Sequence, residues 1–208
     1  MKSSLRFSYF LCLLLVTLTA ACAPIKTLST WKEETYTQPL QKVLIIAVAE
    51  KEYIRKQFEN VLADQLSKRA IEAIPSNKVM SQVGLKPDRE AILAKVKELG
   101  VESVIVARSI SKNEVINHHY SKDMAIGGVA VNSEGWFGYG FGYKSQREYD
   151  SDFLTVSTRL YDVSSEKPVW SYVAQIRVEG SGEGAVTQLV PRIVEQLEDN
   201  QLVTMKKP

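Results

Sequence analysis

Few side chains in this 208-residue sequence could do chemistry. The histidines are two, His118 and His119, and they are neighbours. In an extended segment neighbours point to opposite faces, so this pair makes a poor two-ligand metal site unless the backbone bends. Asp123 could join one of them, but no third donor is spaced to complete a site. Asp150 and Asp152 would share one strand face. Such acidic pairs are usually solvated charges, and nothing here sets the separation that glycoside hydrolysis needs. Serines are abundant, yet no glycine-flanked nucleophile motif accompanies them. The junction Ala47-Val48-Ala49-Glu50, between a first strand and a first helix, lacks the glycines that cradle a phosphate or dinucleotide. The expectation is a non-catalytic protein with no metal and no bound cofactor.

The residue with a definite chemistry is Cys22. Residues 1–22 read MKSSLRFSYFLCLLLVTLTAAC. Lys2 and Arg6 form a positive end, residues 7–18 an apolar core, and Thr19, Ala20 and Ala21 a small-residue exit. This is the pattern of a secretory signal peptide, too short for a comfortable membrane span. The small residue directly before Cys22 resembles a bacterial lipobox, with Thr19 where leucine is usual and Leu18 one position back. The resemblance implies cleavage after residue 21 and a diacylglycerol and an N-acyl chain, such as palmitate, on Cys22. A lone exposed thiol is a liability in an oxidising compartment, which favours the modified form.

Cleavage would remove Lys2 and Arg6, leaving 24 basic against 24 acidic side chains. A balanced charge offers nucleic acid no footprint. Cys12 would leave too, so no disulfide could form within one mature chain, and the remaining 187 residues suit one packed domain.

The elements beyond the signal follow from hydrophobic period. Residues 22–40 are polar, have no sustained period and include Pro39, and are expected to be a lipidated N-terminus and flexible tether, with Trp31 and Tyr36 either on the domain edge or exposed. KVLIIAV at 42–48 is a near-continuous apolar run, expected as a central strand covered on both faces. Residues 50–69 change to helical period, with Ile54, Phe58, Val61, Leu62 and Leu66 in one stripe and Lys51, Arg55, Asn60, Asp64 and Lys68 opposite. A short strand at 71–74 ends at Pro75, and 78–86 reads as a connector. Pro87 and Asp88 open a second helix, with Ile92, Leu93, Val96 and Leu99 buried and Gly100 as its stop. Residues 101–110 are a third strand. Residues 112–120 can extend, and 153–161 and 169–178 alternate as an antiparallel hairpin with Trp170 as a core anchor. Residues 185–197 carry a strong helical stripe interrupted by Pro191, predicting a kink or a separate first turn.

The expected fold is α/β, or α+β with a mixed sheet. It is a single three-helix domain over 41–199, of order β-α-β-α-β-β-β-β-α, with a polar tail at 200–208. Residues 127–143 form a glycine-aromatic insert, GGVAVNSEGWFGYGFGY. Period two would place Phe137, Tyr139, Phe141 and Tyr143 on one side, beside Trp136. The reading is either a surface loop or a contact surface for a partner, another copy, or a membrane or glycan surface.

Taken together, KVLIIAVAE, LADQLSKRAIEAIPS, DREAILAKVKELGVESVIVARS, the glycine-aromatic loop and LTVSTRLYDVSSEKPVWS resemble a family of small bacterial envelope lipoproteins. The element order also resembles the periplasmic α/β domains of the TolB N-terminal and curli-pore CsgG type. The resemblance implies a scaffold and brings no catalytic residues. Ala23 is compatible with sorting to the outer membrane in a diderm host, facing the periplasm, with the inner membrane the lesser alternative. Three functions follow: a binding or assembly module tethered to the lipid bilayer and meeting an envelope protein; a self-associating structural or secretion component; and, least supported, a hydrolase of envelope glycan or lipid.

Overall fold

The computed structural model describes residues 25–49, 51–80, 89–110, 153–178 and 182–204. Its frame is a six-stranded mixed sheet with four helices among the described residues. In chain order the elements are β1 (Ile25–Lys32), β2 (Lys42–Val48), α1 (Glu52–Ser67), β3 (Glu72–Pro75), α2 (Ser76–Val79), α3 (Arg89–Leu99), β4 (Ser103–Ser109), β5 (Phe153–Asp162), β6 (Lys167–Arg177) and α4 (Glu183–Asp199). The sheet order is β1-β6-β5-β4-β2-β3. Strand β2 runs parallel to β3 and β4, and the other pairings are antiparallel.

The apolar run of β2 is buried from Val43 to Val48, as a strand covered on both faces requires. Val43, Ile45 and Ala47 face one core with Phe58, Leu62 and Leu66 of α1 and Val186, Leu189, Val190 and Ile193 of α4. Leu44 and Ile46 face the other, with Ile92 and Val96 of α3. The chain steps from β2 to β3 through α1, then back across β2 to β4 through α3. Right-handed crossovers in opposite directions put these helices on opposite faces. Trp170 is fully buried in the first core and stacks on Tyr172 at 6.3 Å between ring centroids.

Three helices end in the same way. Val101 N–H bonds to Val96 O and Gly100 N–H to Lys97 O, both at 3.3 Å, closing α3 as a Schellman motif with Gly100 at φ 59°. Helix α1 repeats the pattern with Ile71 on Leu66 and Ala70 on Ser67, and α4 repeats it with Leu202 on Leu197 and Gln201 on Glu198. Ala70 (φ 62°) and Gln201 (φ 59°) thus take a conformation that suits glycine. In each motif a buried apolar residue follows the left-handed one: Ile71, Val101 or Leu202.

Several expectations are corrected. The tether is structured from Ile25: β1 forms the antiparallel edge of the sheet against β6. A register shift between Thr27 and Ser29 interrupts its alternation, which hides the period in sequence. Thr30 and Lys32 also reach Gln196 of α4 and the carbonyl of Asn200 just past its end, at 3.0 and 2.9 Å. The polar tail starts later than position 200, because Leu202 and Val203 are buried in the first core and Leu40 N–H bonds to Leu202 O at 2.8 Å. Helix α2 runs from Ser76 into the first two residues of the expected connector, so the helices exceed the expected three. Arg55 is buried, not on the solvent face. Pro191 sits within one continuous helix. It lies on the exposed side, as does Thr187, the residue four earlier whose carbonyl would accept a backbone N–H at position 191. The possible strand at 112–120 falls outside the described residues.

Candidate functional site

In open α/β sheets ligands gather outside the carboxyl ends of the parallel strands, where the chain direction switches. Here that place is the end of β2 and β4, beside the start of α1. The side chain that dominates it is Glu59, fully buried on α1. Its Oε1 accepts from Ala47 N–H at 3.0 Å and Ser76 Oγ at 2.7 Å. Its Oε2 accepts from the backbone N–H and the Nδ2 of Asn77, both at 2.7 Å. Four donors converging on two oxygens are what a carboxylate, an acceptor-only group, completes. The cluster locks α1 to β2 and to the β3–α2 junction. Arg55, one turn earlier on the same face, is also buried; its Nη2 lies 3.9 Å from Glu52, and its Nη1 has no hydrogen-bond acceptor among the described residues. The sequence signal for both was available: Arg55 and Glu59 stand at i and i+4 in phase with Phe58, Leu62 and Leu66, an anomaly on a buried stripe.

The opposite end of the sheet carries an open groove of about 570 Å³, lined by Gln38, Pro39, Gln41, Val101, Glu102 and the Asp162–Ser164 turn. The Asp162 carboxylate accepts from Ser164 Oγ (2.7 Å), Ser165 N–H (2.8 Å) and Ser165 Oγ (2.6 Å). Partial burial pushes its pKa up, but these hydroxyl and amide bonds outweigh burial and hold it below the usual aspartate range. Nearby Tyr36 is pushed the other way. Burial raises its phenol, its hydrogen bond with Ser103 opposes this, and the Asp162 and Glu102 charges add to the rise.

Cys22, Trp136, Phe137, Tyr139, Phe141, Tyr143, His118, His119, Asp123, Asp150 and Asp152 lie outside the described residues. Among the described residues no three His, Cys, Asp or Glu side chains converge as metal ligands. No helix among them is long and apolar enough to cross a membrane.

The fold defines a mixed α/β domain in which the Glu59 carboxylate joins α1, β2 and the β3–α2 junction and the Asp162 carboxylate closes the β5–β6 turn. No family model matches the sequence, and no curated protein matches it. Among solved structures, the chain is similar to the PelC dodecamer from Paraburkholderia phytofirmans, at 13% identity and a TM-score of 0.45, over 83% of this chain and 96% of that one. It is also similar to the lipoprotein GNA1162 from Neisseria meningitidis, at 16% identity and a TM-score of 0.39, over 76% of this chain and 96% of that one. Likeness at these scores carries no functional argument.

Proposed function

We propose that the chain is a lipid-anchored bacterial envelope protein, a non-catalytic binding or assembly module facing the periplasm from the outer membrane. The observation that carries the reading is the run from Lys2 to Cys22, a positive end, an apolar core and a small-residue exit ending at a cysteine. Acyl chains contribute roughly 0.8 kcal/mol per buried methylene, so several on Cys22 would hold the domain on the membrane and raise its effective concentration for an envelope partner. Ala23 supports the outer-membrane choice. The closed hydrogen-bond clusters of Glu59 and Asp162 support a binding role over a hydrolytic one.

A second reading, self-association into a structural or secretion component, has one support in the fold. Strand β1 is an eight-residue edge whose outer side has no partner strand among the described residues. Intact-mass measurement of the membrane-extracted chain tests the anchor, and a mass matching an unmodified cysteine would overturn it. In-cell crosslinking then separates a heterologous partner from a second copy.

A further inference from the structure

The chain enters the described fold at one end of the sheet, where β1 begins. Ile25 opens β1 only three residues after Cys22, a reach of about 10 Å even fully extended. Ile25 pairs with Ile176, and Arg177 pairs with Phe153, so the start of β1, the start of β5 and the end of β6 share that end. The starts of α1 and α4 join them: a Cβ on Gly182 would lie 3.6 Å from Ile54 Cδ1 and 3.7 Å from Val178 Cγ1.

The two large apolar side chains exposed among the described residues both lie here, Tyr53 at 43% and Phe153 at 42%. Each carries a cation over its ring. Lys51 Nζ is 5.8 Å from the Tyr53 centroid, and the Arg177 guanidinium is 5.2 Å from that of Phe153. Lys26 is exposed beside them. Of the acidic groups among the described residues here, Glu52 is paired to Lys56 at 2.8 Å and Glu183 is exposed, while Glu50, Asp152 and Glu179 adjoin this end in the sequence, outside the described residues. Aromatic rings flanked by basic groups suit the boundary between headgroups and acyl chains.

We propose that this end of the sheet is a membrane-docking face, occupied by the anionic phospholipid surface of the bilayer that holds Cys22. The inference rests on the anchor reading for its orientation. The link keeps Ile25 within about 10 Å of Cys22, and the proposal sets the Tyr53 and Phe153 rings of the same end at the headgroup level.

The test uses the full chain, purified from membranes and reconstituted in phosphatidylethanolamine–phosphatidylglycerol vesicles. Single cysteines are introduced by Tyr53→Cys, Phe153→Cys and, at the far end, Lys167→Cys, and carry an environment-sensitive fluorophore. All three positions are exposed, and thermal unfolding checks that each variant is folded. Headgroup-proximal doxyl lipid should quench positions 53 and 153 at least about twofold more than position 167. Equal quenching at all three positions, or none at 53 and 153, would overturn the proposal. So would shielding of 53 and 153 from aqueous iodide without lipid quenching, which would mean that a protein covers the face. Intact mass separates the two readings. An acylated chain without quenching loses the docking face and keeps the anchor. If intact mass shows an unmodified Cys22, the same quenching pattern from variants that also carry Cys22→Ser keeps the docking face and loses the anchor.

Discussion

The Glu59 carboxylate, on α1, accepts a 3.0 Å hydrogen bond from the backbone N–H of Ala47 near the end of the central strand β2. The same carboxylate holds Ser76 and Asn77, so one side chain joins three elements. Removing it leaves several buried donors without an acceptor. Glu59→Ala should cost about 3–5 kcal/mol, and Glu59→Gln about 2 kcal/mol because its amide turns a donor toward donors. Denaturant unfolding of the two variants checks this, and a loss under about 1 kcal/mol for Glu59→Ala would show that the cluster is not the lock described.

The three Schellman ends predict gains as well as losses. Ala70→Gly and Gln201→Gly should each stabilise by about 0.5–1 kcal/mol, because glycine takes positive φ without a Cβ penalty. Gly100→Ala should cost about 1 kcal/mol, entirely from backbone strain, since nothing lies within 4 Å of the added Cβ. Shifts in the thermal midpoint provide the reading, and a destabilised Ala70→Gly would contradict the motif.

Asp162 should give the fold an acid-sensitive limb. Its folded pKa lies below its unfolded value, so its contribution is present above the unfolded pKa and is lost as pH falls through the folded one. The loss begins below about pH 4, the ordinary aspartate value. Asp162→Ala should cost about 1 kcal/mol at neutral pH and flatten the decline on acidification. Unfolding curves of both proteins across the acid range test the sign; an unchanged acid slope would remove Asp162 from the account.

Strand β1 should show itself in hydrogen exchange. Amides of residues 25–32 that face β6 should be protected, while those facing outward exchange fast. Uniform fast exchange across the segment would restore the tether that the sequence suggested.

Much of the fold was legible locally. The β2 run, the stripes of α1 and α4, the Gly100 stop and the β5–β6 hairpin each declare themselves within a short window, because period reports which face of an element is buried. The stripe reading placed Arg55 on the solvent face and left Glu59 unmarked, although both are misfits in phase with Phe58, Leu62 and Leu66. Whether a misfit is satisfied depends on donors 12 to 18 residues away on other elements.

By itself, then, the sequence determined the mixed α/β class, the faces of the long elements and the residue proposed to carry lipid. Tertiary structure decided what depends on distant partners. The segment IKTLSTWK becomes a strand because β6, with which it pairs from Ile25↔Ile176 to Lys32↔Trp170, offers it a ladder; Thr27 Oγ1 lies 3.2 Å from the Tyr172 hydroxyl. Leu202 belongs to the core because the end of α4 turns back past Leu40. An edge strand and a helix end gain their order from the surface they meet, and no local period records that surface.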